Sequence, residues 1–164
     1  MISLKSYLFQ DWAINCETSL KSRLSLILFR SASYPKTSML RGRLMKPIRP
    51  FYQVVVEYIL GVEIPWNVTI GTHLQLQHGR GIVINHQTVI GHHCILRHTT
   101  TIGNKKRSDG SYTSAPTIGN YVDIGCHVVI LGDVNIGDRA VIGAGSVVIR
   151  DVPTGALWRV IRLV

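Results

Sequence analysis

The sequence predicts a mainly β fold: a parallel β-helix of six-residue repeats, preceded by a short α-helical N-terminal region. An aliphatic residue recurs every six positions at Ile64, Ile70 and Leu76, at Ile84, Ile90, Leu96 and Ile102, and at Ile118, Ile124, Ile130, Ile136, Ile142 and Val148. Glycine follows it directly at Gly71, Gly91, Gly103, Gly119, Gly125, Gly137 and Gly143. The fourth position after it is small or β-branched at Val68, Thr88, Thr100, Val122, Val128, Val134 and Ala140. A period of six matches neither a helix nor one alternating strand. It matches a short strand plus a corner, three of which close a coil of about eighteen residues lined by the aliphatic side chains. Stacked coils satisfy one another's backbone hydrogen bonds, and glycine suits corners that need positive φ or close backbone approach.

Residues 1–60 lack the repeat and should form two or three helices, because Leu20, Leu24, Ile27 and Leu28, then Phe51, Val54, Val55, Tyr58 and Ile59, fall at helical spacing. Between them Lys36, Arg41, Arg43, Lys46 and Arg49, with Pro35, Pro47 and Pro50, read as a basic connector. It is either a solvated surface or a patch facing anionic lipid, which would give peripheral membrane association. Residues 61–153 form the β-helix and 154–164 a C-terminal tail. The repeat is broken twice, by a spacing of eight between Leu76 and Ile84 and of sixteen between Ile102 and Ile118. The second break sends residues 105–116 out as an excursion loop, which we expect to frame a site.

With 164 residues, 46% of them hydrophobic and 16% charged, the chain should fold as one main domain without staples. No apolar stretch is long enough to span a bilayer and no signal-peptide pattern opens the chain, so the expected location is cytoplasmic. Cys16, Cys94 and Cys126 are odd in number and lack CxxC pairing, and read as reduced thiols, Cys94 and Cys126 as small core residues. A net charge of +9 draws polyanions in general. Nucleic acid is not expected as a partner, since neither interleaved aromatics nor a recognition helix accompanies the charge.

The repeat, the stretch GVEIPWNVTIGTHLQLQHGRG over 61–81 and the run IGAGSVV over 142–148 resemble the hexapeptide-repeat acyltransferases. Within them the sequence is similar to serine acetyltransferases and polysaccharide-acetylating relatives, including colanic acid acetyltransferases. The resemblance covers roughly residues 55–153. It implies a left-handed β-helix, acetyl-CoA as co-substrate, and a homotrimer with active sites between subunits. It also implies His78 as general base, oriented by Glu63 where the family usually has aspartate, with Asn104, Lys105, Cys126, Ala144 and Gly145 at the cofactor groove. Lys106 and Arg107 join Lys105 at the loop's start, where they would meet CoA phosphates. Transfer would be direct, without an acyl-enzyme, and backbone N–H groups of the Gly79–Gly81 corner would serve the oxyanion. No metal is expected: His73, His86, His92, His93, His98 and His127 fall mostly at outward positions, and the zinc triad of carbonic anhydrases on this fold is not evident in their spacing.

Departures from the serine enzymes set the expected acceptor. Those have an aspartate before the histidine and an Arg-His pair before the loop's proline, whereas this chain has Gln77, then Ser114 and Ala115 before Pro116. A zwitterionic acceptor would lose both charged partners, each worth roughly 1.5–3 kcal/mol. With Gln77, His98 and Ser114 as candidate acceptor residues, we expect O-acetylation of a sugar or polysaccharide hydroxyl, and serine O-acetylation as the alternative.

Overall fold

The computed structural model describes residues 3–34 and 47–159. Helix α1 (Leu4–Leu8) and a 3-10 turn (Ala13–Asn15) lead into α2 (Leu20–Ser33); α3 (Ile48–Tyr52) continues directly into a π-helical turn (Gln53–Ile59). Of the connector's basic residues only Arg49 lies within the described residues, with its guanidinium 3.6 Å from the centre of the Trp66 ring. None of the described helices is long and apolar enough to cross a membrane.

From Val62 onward the chain is a left-handed β-solenoid of two- and three-residue strands. Sheet A stacks β1 (Val62–Glu63), β4 (Ile82–Ile84), β7 (Thr101–Gly103), β10 (Val129–Leu131) and β13 (Val147–Val148). Sheet B stacks β2 (Thr69–Ile70), β5 (Val89–Ile90), β8 (Thr117–Ile118) and β11 (Asn135–Ile136). Sheet C stacks β3 (Gln75–Gln77), β6 (Ile95–Arg97), β9 (Asp123–Ile124), β12 (Val141–Ile142) and β14 (Leu157–Trp158). All the pairings are parallel, and regular coils advance by 18 residues, as from Val83 to Thr101. The last strand, β14, pairs with β12 and carries the solenoid past the expected boundary at 153; residues 160–164 of the tail lie outside the described residues.

The six-residue aliphatic positions line the bore, nearly all of them with no more than a few per cent exposure. Their fourth-position companions Val68, Thr88, Thr100, Val122, Val128, Val134 and Ala140 are buried beside them. Glycine is required where coils touch backbone to backbone: a Cβ on Gly125 would lie 2.5 Å from the Ala144 nitrogen. The helical stripes behave differently from the bore. Phe51, Val54, Tyr58 and Ile59 are exposed, as are Leu20 and Leu24, while Leu26, Phe29, Tyr52 and Val56 are buried.

The helices close the first coil. Asp11 accepts from the Leu74 N–H (2.9 Å), and Asn15 accepts from Leu76 N–H (2.9 Å) and donates to Leu74 O (2.8 Å). Arg30 pairs with Asp11 at 2.7 Å and donates to the carbonyls of Ile70 and Gly71. Tyr52 Oη donates to Ile64 O. One side chain or another thus meets the open edge of each of the three sheets, supplying the hydrogen bonds that a further coil would supply.

Candidate active site

The corner that joins sheet C to sheet A is a column of left-handed residues: Gly81 (φ 63°), Thr99 (55°), His127 (57°) and Gly145 (72°). Each is hydrogen-bonded to the coil below, Thr99 N–H to Arg80 O, His127 N–H to His98 O and Gly145 N–H to Cys126 O. The residues just before them, Arg80, His98, Cys126 and Ala144, therefore form a second column. In the first of these corners the two extra residues of the eight-residue spacing put His78, also left-handed at φ 55°, on an exposed bulge. The corner is pinned from both sides: Gly81 N–H donates to Gly61 O (2.7 Å) and Gly79 N–H to Ser22 Oγ (3.3 Å) in the first turn of α2. Both amides are thus engaged, so the Gly79–Gly81 corner does not offer them as the free oxyanion donors expected from the sequence.

The imidazoles of His78, His98 and His127 climb this corner edge to face, with ring centres 5.8 and 5.3 Å apart. Thr99 Oγ1 lies 2.9 Å from His127 Nδ1, and His98 Nδ1 is buried without a partner. A groove of about 500 Å³ opens beside the first two histidines, lined by Ser19, Lys21, His78, Arg80, His98 and Thr99. Gln77 ends β3 next to it. Donor atoms of His98, Cys126 and His127 also lie within 4.8 Å of one another, a nitrogen and sulfur set of the kind soft divalent ions take. Linear spacing hid that grouping, because His98 and Cys126 are neighbours only across coils. Cys126 is half-buried in this corner and not in the core, unlike Cys94, whose thiol burial pushes above its ordinary pKa.

Glu63 lies on β1, exposed, in register with Val83. The ion pairs among the described residues are Arg30–Asp11 and Arg97–Asp123, so Glu63 is not joined to His78 by one. Its charge is felt by Glu57, whose carboxyl is held above its usual range by burial first and by Glu63 second. Asn104, Lys105 and Ser114 stand at the opposite edge of sheet A from His78. There the excursion is a small hairpin: Lys106 bridges Tyr112, Arg107 N–H donates to Ser111 O, and Asp109 accepts from Ser111 N–H and Oγ–H. Cys126, Ala144 and Gly145 share the His98 side, so the expected cofactor residues bracket sheet A from its two edges.

Residues 115–150 match the model of the bacterial transferase hexapeptide, six repeats. The chain is 37% identical over 122 residues to the putative colanic acid biosynthesis acetyltransferase WcaB of Escherichia coli K12, covering 74% of each chain. It belongs to the hexapeptide-repeat acyltransferases. Within this family it is also 37% identical over 102 residues to the serine acetyltransferase of Helicobacter pylori, covering 62% of this chain and 58% of that one. Soybean serine acetyltransferase superposes with a TM-score of 0.75 at 28% identity, over 94% of this chain and 65% of the soybean chain. This hexapeptide-repeat acyltransferase thus spans less than two thirds of the length of these serine enzymes.

Proposed function

We propose that the protein transfers an acetyl group from acetyl-CoA to an acceptor hydroxyl, with His78 as general base. The observation that carries this reading is the exposed His78 on the corner widened by two residues, packed edge to face on His98 with both beside a groove large enough for a small acceptor. His78 takes the hydroxyl proton as the oxygen attacks the thioester carbonyl; the C–S bond breaks and the proton passes to the departing thiolate. No nucleophilic side chain is needed. Glu63 is a positioning residue in this scheme, acting when its carboxylate turns toward the corner. The CoA groove runs along sheet A between its two bracketing edges, completed by a neighbouring subunit of a homotrimer.

Of the two acceptors, L-serine has the broader support, since the soybean structure and the Helicobacter pylori relative are both serine acetyltransferases. A sugar hydroxyl is the second reading. It is favoured by WcaB's higher coverage and by a groove lining without any carboxylate to meet an ammonium group. The deciding test is release of CoA thiol from acetyl-CoA by the purified protein, with L-serine or with capsular oligosaccharides as acceptor and His78→Ala as control. Serine-dependent release lost in His78→Ala establishes the serine reading; release only with glycan establishes the second. Equal release by His78→Ala overturns the role of His78.

A further inference from the structure

We propose that the groove beside His78 binds an anionic group of the acceptor, a carboxylate or a phosphate, between Lys21, Arg80 and the N-terminus of α2. The inference deepens the acetyl-transfer reading and rests on it for the word acceptor. Lys21 and Arg80 line the same groove as His78 and His98, together with Ser19 and Thr99, and no acidic residue is among them. Neither cation takes part in an ion pair among the described residues. Lys21 is held below the ordinary lysine pKa, by burial first and by the charge of Arg80 second.

Its place in the helix adds to the conflict. Lys21 follows directly on the first residue of α2, where the helix dipole is positive and acids are the favoured residues, yet the first turn carries none. That turn is not free to swing away. Ser19 Oγ accepts from Ser22 N–H, and Ser22 Oγ accepts from Gly79 N–H in the corner that carries His78. Three positive elements therefore meet at one cavity whose lining residues include no acid. Local rules that fail together at one place mark a functional site, and an incoming anion resolves all three at once.

The other source of anions is CoA, but its expected positions lie elsewhere. Cys126, Ala144 and Gly145 sit on later coils of the corner, whereas Lys21 and Arg80 stand at the first coil, where the hydroxyl must meet His78. An arginine fork beside a lysine suits a carboxylate or phosphate, and a neutral sugar leaves both unused. The acceptor class is thus an acidic sugar, a sugar phosphate or an amino acid carboxylate.

The experiment is NMR titration of the full chain with D-glucuronate, inorganic phosphate and neutral D-glucose, following the imidazole signals of His78 and His98. Acetyl-CoA affinity is measured in parallel. Glucuronate and phosphate should shift both imidazoles saturably and glucose should not, and the glucuronate response should weaken as salt rises. Lys21→Gln and Arg80→Gln should each lower glucuronate affinity about tenfold, and the double variant more, with acetyl-CoA affinity unchanged. Glucose binding as well as glucuronate, or glucuronate binding indifferent to salt and to both substitutions, overturns the proposal. Loss of acetyl-CoA affinity without loss of glucuronate binding overturns it too, by giving the cations to the donor. His78→Ala should keep the anion response while losing transfer, which separates a failure of this inference from a failure of the general-base reading.

Discussion

His78 occupies a left-handed backbone position on an exposed bulge, held by two amides that are spoken for. Replacing it by alanine removes the base and leaves the pins, so transfer should fall about 10²–10⁴-fold with little change in melting temperature. Gly125 has the opposite character. Gly125→Ala would force a Cβ against the Ala144 backbone and should cost about 1–3 kcal/mol, read by denaturant unfolding. Glu57 gives a pH signature. Its folded pKa is raised, so the folded chain holds the proton more tightly and stability falls as pH rises from the ordinary carboxylate value through the folded one. Glu57→Gln should remove that fall: the variant gains on the wild type at neutral pH and loses its advantage at acid pH.

At the scale of elements, the Asp11–Arg30 pair is what α2 and the segment before it contribute to the solenoid. Both side chains are buried, 3% exposed each. Asp11→Ala takes the carboxylate from the buried Arg30 guanidinium and the acceptor from Leu74 N–H, and should cost roughly 3–5 kcal/mol. The double change to apolar residues should cost less than Asp11→Ala alone. The excursion hairpin carries Lys105, Lys106 and Arg107 on a hydrogen-bonded frame that does not depend on their charges. Replacing all three by alanine should leave the melting temperature in place and raise the KM for acetyl-CoA about tenfold or more at low salt, with the difference shrinking as ionic strength rises.

For the molecule as a whole, the solenoid was legible because one six-residue rule sets bore, companion position and corner together, and a rule repeated that often leaves little for tertiary context to override. The slip of two residues marked the corner that bulges, whereas His78 as the residue of interest on it came from the family resemblance alone. What the linear order concealed was adjacency across coils and from helix to coil: Lys21 beside Arg80, Cys126 beside His98, Asp11 beneath Leu74. The helical stripes misdirected for a related reason. Leu20, Leu24, Val54 and Tyr58 fix the helical period, yet the faces turned to the first coil use Ser22, Arg30 and Tyr52, whose polar atoms answer backbone groups of that coil.

Those polar atoms also set a direction of growth. A stack of identical rungs is a template at either end, and nothing in the six-residue rule tells it to stop. Here one terminus is plugged by side chains that satisfy the outermost rung without presenting another strand. Chains stripped of that plug are expected to stack end to end, which light scattering would read, so that the helical segment would act as a stop on growth from that end.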